Sequence, residues 1–421
     1  KYLIMILAVT TLSTLLFSVV VFLIIILLLV MMLLFARDRL LPKGNVKLQV
    51  NDRELEVSQG GNLLSTLSGN GIYLPSACGG AGTCGMCRCQ VVSGGGSILP
   101  TEVVFFTRKE QQNNWRLGCQ VKIRDNMSIR LPESVFGIRK WECEVVSNKN
   151  VATFIKELVV KLPDGEDLDF EPGGYIQIDV PKYETSFRDF NIDEIFRSDW
   201  DKYNMWDLHV KNTSETYRAY SMANYPAEKN LIKLNIRIAT PPWDNLEKRF
   251  MNVPPGICSS YIFSLKKGDK IVISGPYGEF HIKDTPNEMV YIGGGAGMAP
   301  LRSHIFHLFH TLRTGRKVSF WYGARSLREV FYEEEFIAIE KKFNNFRFHL
   351  ALSEPLPEDN WKGPTGFIHQ VLLDNYLSKH EEPEDIEYYF CGPPVMNDAV
   401  VKMLDSLGVP QENISFDDFG I

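Results

Sequence analysis

The chain has 421 residues, which is too long for one compact core and predicts about two to four domains. Its 45 Lys and Arg residues against 51 Asp and Glu residues give a formal net charge of −6. With this balance, and without a basic stripe that carries interleaved aromatic residues, a nucleic-acid-binding function is not expected.

The first feature along the chain is an apolar run. Residues 2–36 contain no charged side chain. A membrane-spanning helix needs about 20 apolar residues, so we expect residues 1–36 to form a single transmembrane anchor. A cleaved signal peptide has a shorter apolar core of about 7–15 residues and a small-residue cleavage site, which this run does not match. More basic residues follow the run, at positions 37–47, than precede it, so the positive-inside rule predicts that the rest of the chain lies in the cytoplasm.

The second feature is the cysteine-rich stretch ACGGAGTCGMCRC at residues 77–89. Disulfides, zinc sites and iron–sulfur clusters all concentrate cysteines in this way. A cytoplasmic location argues against structural disulfides, because that compartment keeps thiols reduced. Zinc sites usually present two short cysteine pairs, whereas here only Cys84 and Cys87 form a Cys-x2-Cys pair.

The cysteine spacing resembles the plant-type ferredoxin pattern for a [2Fe–2S] cluster, although the first gap is one residue longer. We expect the cluster ligands to be Cys78, Cys84, Cys87 and the distant Cys119. If the stretch after Cys87 is a strand, Cys87 and Cys89 point to the same side about 7 Å apart, so a better fourth ligand comes from elsewhere. We therefore interpret Cys89 as a small buried apolar residue.

The sequence around the cysteines predicts a β-grasp domain. The segments VKLQVND and SIRLPESVF alternate apolar and polar residues, as short strands do around a helix. The glycines of the cysteine loop would let it curl so that backbone amides face the cluster sulfurs. We therefore predict a ferredoxin domain over residues 46–134.

The middle of the chain predicts short antiparallel strands, which form either a barrel or a sandwich. From Trp141 onward, short alternating segments are separated by turn signals. The sequences RAYSMANYP (218–226) and PPGICSSYI (254–262) then resemble the flavin-binding segments of the ferredoxin–NADP reductase superfamily, whose first motif is Arg-x-Tyr-Ser. The resemblance implies an FAD-binding barrel over residues 135–284. Residues 182–216, which precede RAYSMANYP, have no clean periodicity. We interpret them as a functional insertion in the barrel.

The resemblance also assigns roles to residues of the barrel. Arg218 would offer a planar donor fork to the FAD pyrophosphate, Tyr220 an aromatic face to the isoalloxazine, and Ser221 a hydroxyl to the flavin N5. A second flavin-phosphate segment would use Gly256, Ser259 and Ser260. We expect Cys258 only to pack.

The last third predicts a doubly wound parallel sheet over residues 285–421. MVYIGGGAGMAPLRSHIFHLF is a strand, a glycine loop and a helix, which is the arrangement that holds a pyrophosphate at a helix N-terminus. It resembles the superfamily's Gly-Gly-x-x-Gly-x-x-Pro motif. Three further strands alternate with helices. The nucleotide-binding residues expected from this motif are Gly293, Gly294, Gly295, Gly297 and Pro300.

The ends of the later strands supply further candidates. Cys391 and Gly392 follow the fourth strand, at the edge where such sheets bind ligands, and the resemblance places this cysteine beside the nicotinamide. The resemblance also gives Phe419 the role of the aromatic ring that covers the flavin. The catalytic candidates are thus Tyr220, Ser221 and Cys391. Arg325 and Ser326 end the second strand and leave both NADH and NADPH open as donors.

Three histidines of the last third, His304, His307 and His310, follow the glycine loop at spacings of three residues. Their directions spread over about 120° of a helix, so we expect a solvated face and not a metal site.

The order of the modules suggests a route for electrons. A hydride carries two electrons and a [2Fe–2S] cluster accepts one, so a flavin between them converts one into the other. The module order, the anchor, RAYSMANYP and an insertion that contains YETSFRDF together resemble the F-subunit family of Na⁺-translocating NADH:quinone oxidoreductases. The resemblance implies a multidomain α/β oxidoreductase that uses NADH, FAD and a [2Fe–2S] cluster.

The same resemblance implies a location and partners. The chain would be a single-pass protein of the bacterial inner membrane, other integral-membrane subunits of the same complex would be its partners, and a quinone would be the final electron acceptor. Two alternatives stay open at this stage. One is an anchored NAD(P)H reductase that feeds a membrane hydroxylase, and the other is a non-catalytic redox sensor.

Overall fold

The structure, a computed structural model, describes the chain over residues 2–40 and 44–418, with side chains over 15–35 and 44–418. The chain divides into two compact units. One comprises Lys1–Gly71 and Arg88–Pro132, and the other comprises Ile72–Cys87 and Glu133–Ile421.

The N-terminal run forms one long helix, α1 (Tyr2–Leu40). The stretch Leu15–Phe35 is long and apolar enough to cross a membrane, and its side chains are exposed. A helix satisfies all its backbone hydrogen bonds within the segment, which is what a bilayer requires of a spanning element. The predicted N-terminal apolar helix is confirmed.

The first unit also contains a five-stranded mixed sheet in the order β2-β1-β5-β3-β4. Strands β1 and β5 are parallel, and the other neighbours are antiparallel. The strands and helices are β1 (Asn45–Val50), β2 (Arg53–Ser58), α2 (Leu63–Gly69), β3 (Arg88–Ser93), α3 (Arg108–Gln112), β4 (Trp115–Leu117) and β5 (Met127–Arg130). The sheet and its helix agree with the predicted β-grasp.

A buried ion pair stabilises the first unit. The guanidinium of Arg116 donates to the carboxylate of Glu102 at 3.0 Å from Nε and 2.8 Å from Nη2, and both side chains are almost fully buried. Its Nη1 donates to the carbonyls of Gly95 and Gly96. A buried charge is tolerated when it is paired and hydrogen-bonded in this way. The ion pair therefore connects the loop at Gly95 and Gly96 to β4.

The first sheet of the second unit is antiparallel and has six strands in the order β11-β8-β15-β6-β7-β12. An antiparallel bridge between Met222 and Leu234 joins the two edge strands, so the sheet closes as the predicted barrel. The barrel elements are β6 (Arg139–Ala152), β7 (Ile155–Lys161), β8 (Tyr175–Val180), β9 (Tyr183–Ser186), α4 (Glu194–Lys202), β10 (His209–Asn212), β11 (Thr216–Ser221), β12 (Leu231–Arg237), β13 (Trp243–Asp244), β14 (Arg249–Phe250), α5 (Ile257–Ser264) and β15 (Lys270–Tyr277).

The insertion is folded onto the barrel. Strands β9 and β10 pair as an antiparallel ribbon, and α4 lies between them in the chain. Phe187, Trp200 and Met205 are buried in the same apolar core as the barrel strands. The buried aromatic residues of the insertion, a segment whose sequence shows no simple periodicity, are therefore core residues of this domain.

A five-stranded parallel sheet completes the second unit, in the order β18-β17-β16-β19-β20. This order reverses between β16 and β19, where doubly wound sheets bind their ligands. The predicted fold class is confirmed. The elements are β16 (Met289–Gly294), α6 (Met298–Phe306), β17 (Val318–Ala324), α7 (Glu333–Lys342), β18 (Phe346–Leu352), α8 (Ile368–Asn375), β19 (Glu387–Cys391), α9 (Pro394–Ser406) and β20 (Ile414–Asp417).

The expectation of a solvated histidine face is wrong for His304. Every residue of α6 is buried, and the His304 Nε2 lies 2.9 Å from the Phe280 carbonyl oxygen and 3.1 Å from that of Pro172. Burial lowers the pKa of His304 to about 4, so the ring is neutral and donates to these carbonyls. His304 therefore connects α6 to the barrel domain.

Candidate functional site

The flavin motif lies on β11, an edge strand of the barrel. Its residues pair with β8 in antiparallel register. The Arg218 Nη1 donates to the Tyr217 carbonyl at 2.8 Å. A guanidinium has five N–H donors, so this contact leaves donors for an anion. Tyr220 is half-buried against the barrel core, and burial raises the pKa of its hydroxyl, so the ring is neutral.

The second flavin segment is a turn followed by α5. A Cβ added to Gly256 would lie 2.6 Å from the Ala239 Cβ, so only glycine fits there. The Ser259 hydroxyl accepts from the Ala239 N–H and donates to the Gly256 carbonyl, so it fixes the turn. The Ser260 hydroxyl is fully buried and has no hydrogen-bond partner within the described residues. An orphaned hydroxyl in the first turn of a helix fits the diphosphate of FAD, because it and the free amides can donate to an anion.

A residue that the sequence analysis missed joins the flavin motif. The Ser221 hydroxyl donates to the Asp417 carboxylate at 2.9 Å. Asp417 ends β20 and is the register partner of Cys391 on β19. A hydroxyl, a thiol and a carboxyl group are thus brought together from three strands. The sequence analysis predicted no strand in ISFDDF, so the acidic residue itself was the sequence signal for this group.

Burial sets the charges of this group. It raises the pKa of the Asp417 carboxyl, and Asp418 acts in the same direction, while the hydrogen bond from Ser221 opposes them. Burial also raises the pKa of the Cys391 thiol well above its ordinary value, and the neighbouring carboxylates add to the effect. Cys391 is therefore a neutral thiol at pH 7.

The glycine loop between β16 and α6 packs tightly against its neighbours and also lines a cavity. A Cβ on Gly297 would lie 2.0 Å from the Cys391 carbonyl oxygen, so this glycine permits the start of α6 to touch the end of β19. A Cβ on Gly293 would meet Leu301 at 2.9 Å. Gly294 and Gly295 line the cavity described next. The motif's glycines therefore divide into two that allow packing and two that face the cavity.

A cavity of about 440 Å³ lies beyond the carboxyl ends of the parallel strands. Arg237 reaches it from β12 of the barrel, and Arg325 and Glu329 reach it from the loop after β17. The Arg325 Nη2 lies 3.5 Å from Glu329 Oε1. Two guanidinium groups and one carboxylate give the described lining an excess of positive charge, which suits the diphosphate of a dinucleotide. Arg237 was not predicted, and Ser326 is buried away from this lining.

The cysteine loop, residues 72–87, belongs to the second unit. The Cys84 thiol donates to the Cys78 sulfur at 3.3 Å. This contact and the amides of Thr83, Cys84 and Gly82 lower the pKa of Cys78, while the same contact raises the pKa of Cys84, so Cys78 is the first of the two thiols to ionise. All four loop glycines have positive φ, between 64° and 88°, as the predicted curl requires.

The cysteine loop contacts the flavin barrel directly. The Tyr175 hydroxyl of β8 donates to the Met86 sulfur at 3.6 Å, and the Lys140 ammonium lies 5.5 Å from the Tyr73 ring centroid. A Cβ on Gly79 would lie 2.5 Å from the Arg218 Nη1. The loop that carries three of the predicted ligands therefore touches the strand that carries the flavin motif.

The two remaining cysteines of interest lie in the first unit. Cys119 is buried, and the Gln120 side-chain amide donates to its sulfur at 3.5 Å. Cys89 is fully buried, and burial raises the pKa of its thiol to about 12, as a packing role requires.

Within residues 44–418, no three His, Cys, Asp or Glu side chains converge on a single metal position. In a [2Fe–2S] cluster four cysteines serve two irons, so pairs such as Cys78 and Cys84 are the expected unit. Phe419 lies outside the described residues.

Three family models match the chain. The 2Fe-2S iron-sulfur cluster binding domain matches residues 46–124, the oxidoreductase FAD-binding domain matches 201–282, and the oxidoreductase NAD-binding domain matches 291–402. They support the three predicted cofactors.

The chain is similar to the F subunits of the Na(+)-translocating NADH-quinone reductases of several bacteria. It is 56% identical to that of a Pseudomonas aeruginosa strain over 388 residues, which cover 92% of this chain and 94% of the relative. It is 55% identical to that of Neisseria gonorrhoeae, over 92% and 95% of the two chains.

Solved structures show the same fold. A cytochrome P450 reductase from Amycolatopsis matches with a TM-score of 0.62 and 23% identity, over 89% of this chain and 98% of that chain. A ferredoxin reductase in carbazole 1,9a-dioxygenase matches with a TM-score of 0.56 and 24% identity, over 90% and 99% of the two chains.

Proposed function

The chain belongs to the F-subunit family of Na⁺-translocating NADH-quinone reductases. We propose that it transfers electrons from NADH through FAD to a [2Fe–2S] cluster. The chain is an oxidoreductase and the electron-input component of its complex. We assign the anchor to residues 1–36, the cluster domain to 46–134, the FAD domain to 135–284 and the nucleotide domain to 285–421.

The observation that supports hydride transfer best is the meeting of Ser221, Asp417 and Cys391. Bound FAD accepts a two-electron hydride and releases single electrons. Asp417 accepts a hydrogen bond from the Ser221 hydroxyl and so fixes its direction, which leaves the hydroxyl oxygen free to accept a further hydrogen bond. Cys391 contributes a neutral, buried thiol at the same edge, which helps to exclude water from the reacting groups.

The flavin is held by residues of β11 and the turn before α5. Arg218 and the buried Ser260 hydroxyl would bind the diphosphate, Gly256 would let the backbone approach it, and Tyr220 would offer its ring to the flavin. Ser259 acts indirectly, because its hydroxyl is used to hold the turn. The cavity that Gly294 and Gly295 line would receive the dinucleotide, and Arg237 and Arg325 would offer positive charge to its diphosphate.

The cluster is held by Cys78, Cys84, Cys87 and Cys119. The contact between the cysteine loop and β11 supports a direct step from flavin to cluster, because single-electron transfer needs the two centres close together. The one-electron exit then leads to other integral-membrane subunits, and a quinone is the final acceptor. The anchor holds the chain in the bacterial inner membrane, with the catalytic domains in the cytoplasm.

Substitution of Ser221 tests the hydride step. The Ser221→Ala enzyme should retain FAD and bleach its flavin with NADH at least about tenfold more slowly, since removal of one preorganised polar group from a reacting centre costs about 10²–10³-fold. Stopped-flow absorbance of the flavin at saturating NADH measures the rate. Ser264→Ala, which removes a hydroxyl that donates to the Tyr261 carbonyl in the same helix, is the control. An unchanged bleaching rate in Ser221→Ala would remove this residue from the mechanism.

A further inference from the structure

The role of the insertion is not explained by cofactor binding. We propose that Asp199 on α4 of the insertion is a positioning residue for the nucleotide cavity, because it holds the 3₁₀ turn Leu327–Glu329 from which the cavity's carboxylate projects. The inference rests on the proposed oxidation of NADH and deepens it by naming a determinant of NADH affinity.

The first step of the argument is the contact between α4 and the turn. Arg328, in the middle of the turn, donates from Nη2 to the Asp199 carboxylate at 2.6 Å. Its Nη1 also lies 3.3 Å from the Ser198 hydroxyl and 3.4 Å from the Ile195 carbonyl oxygen. Both charged side chains are largely buried, with exposures of 21% and 15%. A shielded guanidinium with three acceptors on one short helix holds the turn more firmly than an exposed ion pair would.

The second step is the neighbouring residue of the same turn. The Glu329 carboxylate accepts from the Thr153 backbone N–H at 3.2 Å and from the Thr153 hydroxyl. The Thr153 carbonyl in turn accepts from the indole N–H of Trp200 at 2.9 Å, and Trp200 is fully buried on α4. Helix α4 therefore supports the turn at two successive residues. Asp199 holds Arg328 directly, and Trp200 holds Glu329 through Thr153.

The third step links the turn to the cavity. Glu329 lines the cavity and lies 3.5 Å from the Arg325 guanidinium, whose carbon is 5.8 Å from the Phe154 ring centroid. Arg237 faces the same cavity, where burial and then the repulsion from Arg325 lower its pKa, while the charge of Glu329 opposes both. The carboxylate offsets this repulsion. If the turn shifts, Glu329 moves away from Arg325 and both guanidinium groups lose the arrangement that receives a dinucleotide.

The insertion supplies its own control. Arg188 and Asp207 form an ion pair between two exposed side chains within the insertion. Asp207→Asn therefore removes a carboxylate and an ion pair from the same segment without touching the nucleotide domain.

The experiment measures NADH oxidation by the full chain, purified in detergent with its cofactors, with ferricyanide as acceptor. Asp199→Asn should raise the KM for NADH about fivefold, an effect typical of a coupling between neighbouring sites. Its kcat should stay within about twofold of the wild type, because the reacting groups at Ser221 and Asp417 are untouched. Asp199→Glu should restore most of the affinity, and Asp207→Asn should leave both constants unchanged.

Two further variants keep the outcome decisive. Arg328→Gln should raise KM at least as much as Asp199→Asn does, and the double variant should be no worse than Arg328→Gln alone, since that variant already removes the contact with Asp199. If Asp199→Asn loses FAD, measured by flavin absorbance, Arg328→Gln carries the test. A wild-type KM in a FAD-loaded Asp199→Asn or Arg328→Gln enzyme would overturn the inference. A wild-type enzyme that does not oxidise NADH would instead overturn the proposed function.

Discussion

The edge of the nucleotide sheet and the cysteine loop differ in what holds their reactive groups in place. At the sheet edge, Ser221, Asp417 and Cys391 are fixed by strand register and by a hydrogen bond between distant residues. In the cysteine loop, the chain turns at successive glycines with positive φ. The first region is held by contacts between protein groups, whereas thiolate–iron bonds would supply the cross-links of the second.

This difference predicts how each region responds to substitution. Removal of one side chain at the sheet edge should lower a rate or an affinity in a graded way. Removal of one ligand from the cysteine loop should abolish the cluster, because a [2Fe–2S] cluster needs all four thiolates.

The largest effect is expected at the fourth ligand. Cys119→Ser should abolish the EPR signal of the reduced cluster while FAD remains bound, and Cys89→Ser should retain the signal. The two thiols are matched controls, since both are buried cysteines of the first unit. If Cys89→Ser loses the signal and Cys119→Ser keeps it, the assignment of the fourth ligand is wrong.

A smaller effect is expected for the flavin arginine. Arg218→Ala should bind FAD about 10- to 100-fold more weakly, since a hydrogen bond to a charged group contributes about 1.5–3 kcal/mol. Flavin fluorescence during titration of the deflavinated protein measures the Kd. Lys211→Ala, which removes an exposed cation that pairs with Glu184 on the neighbouring ribbon, should bind FAD normally. Equal affinity of the Arg218→Ala and Lys211→Ala proteins would contradict the role of Arg218.

The smallest effect is expected in the pH dependence. Because burial raises the pKa of Asp417 above its ordinary value of about 3.9, the carboxylate is protonated as pH falls through that raised pKa. The rate of flavin reduction should decline there in the wild type, and Asp417→Asn should be slower and flat in the same range. A raised native pKa also means that ionisation opposes folding above the unfolded pKa, so Asp417→Asn should not unfold at a lower temperature at pH 7.

Local patterns predicted the strands, the glycine loops and the clustered cysteines, and the family resemblance that these patterns carry implied FAD and NADH. Most of these patterns extend over about ten residues, so they can be read from the sequence. Asp417 could not be predicted in the same way, because its partner Ser221 is 196 residues away. Arg237 was missed for the same reason, since a strand of the barrel brings it to a cavity of the other domain.

Burial of polar residues explains the wrong histidine prediction. Helix α6 carries Arg302, Ser303 and His304, which suggest a solvated face, yet the whole helix is buried. The barrel domain provides their partners, as when Arg302 donates to the Ala223 carbonyl at 2.7 Å. Contacts between domains thus reverse a prediction based on one helix.

The central claim is that hydride transfer and the one-electron exit use separate regions of the chain. The measurement that tests it most directly is electron transfer by Cys78→Ser, reassembled with the other subunits in membranes. NADH should still bleach the flavin at nearly the wild-type rate, and ferricyanide should still be reduced, while quinone reduction should be lost. A Cys78→Ser enzyme that lacks the cluster EPR signal and still reduces quinone at the wild-type rate would contradict the claim.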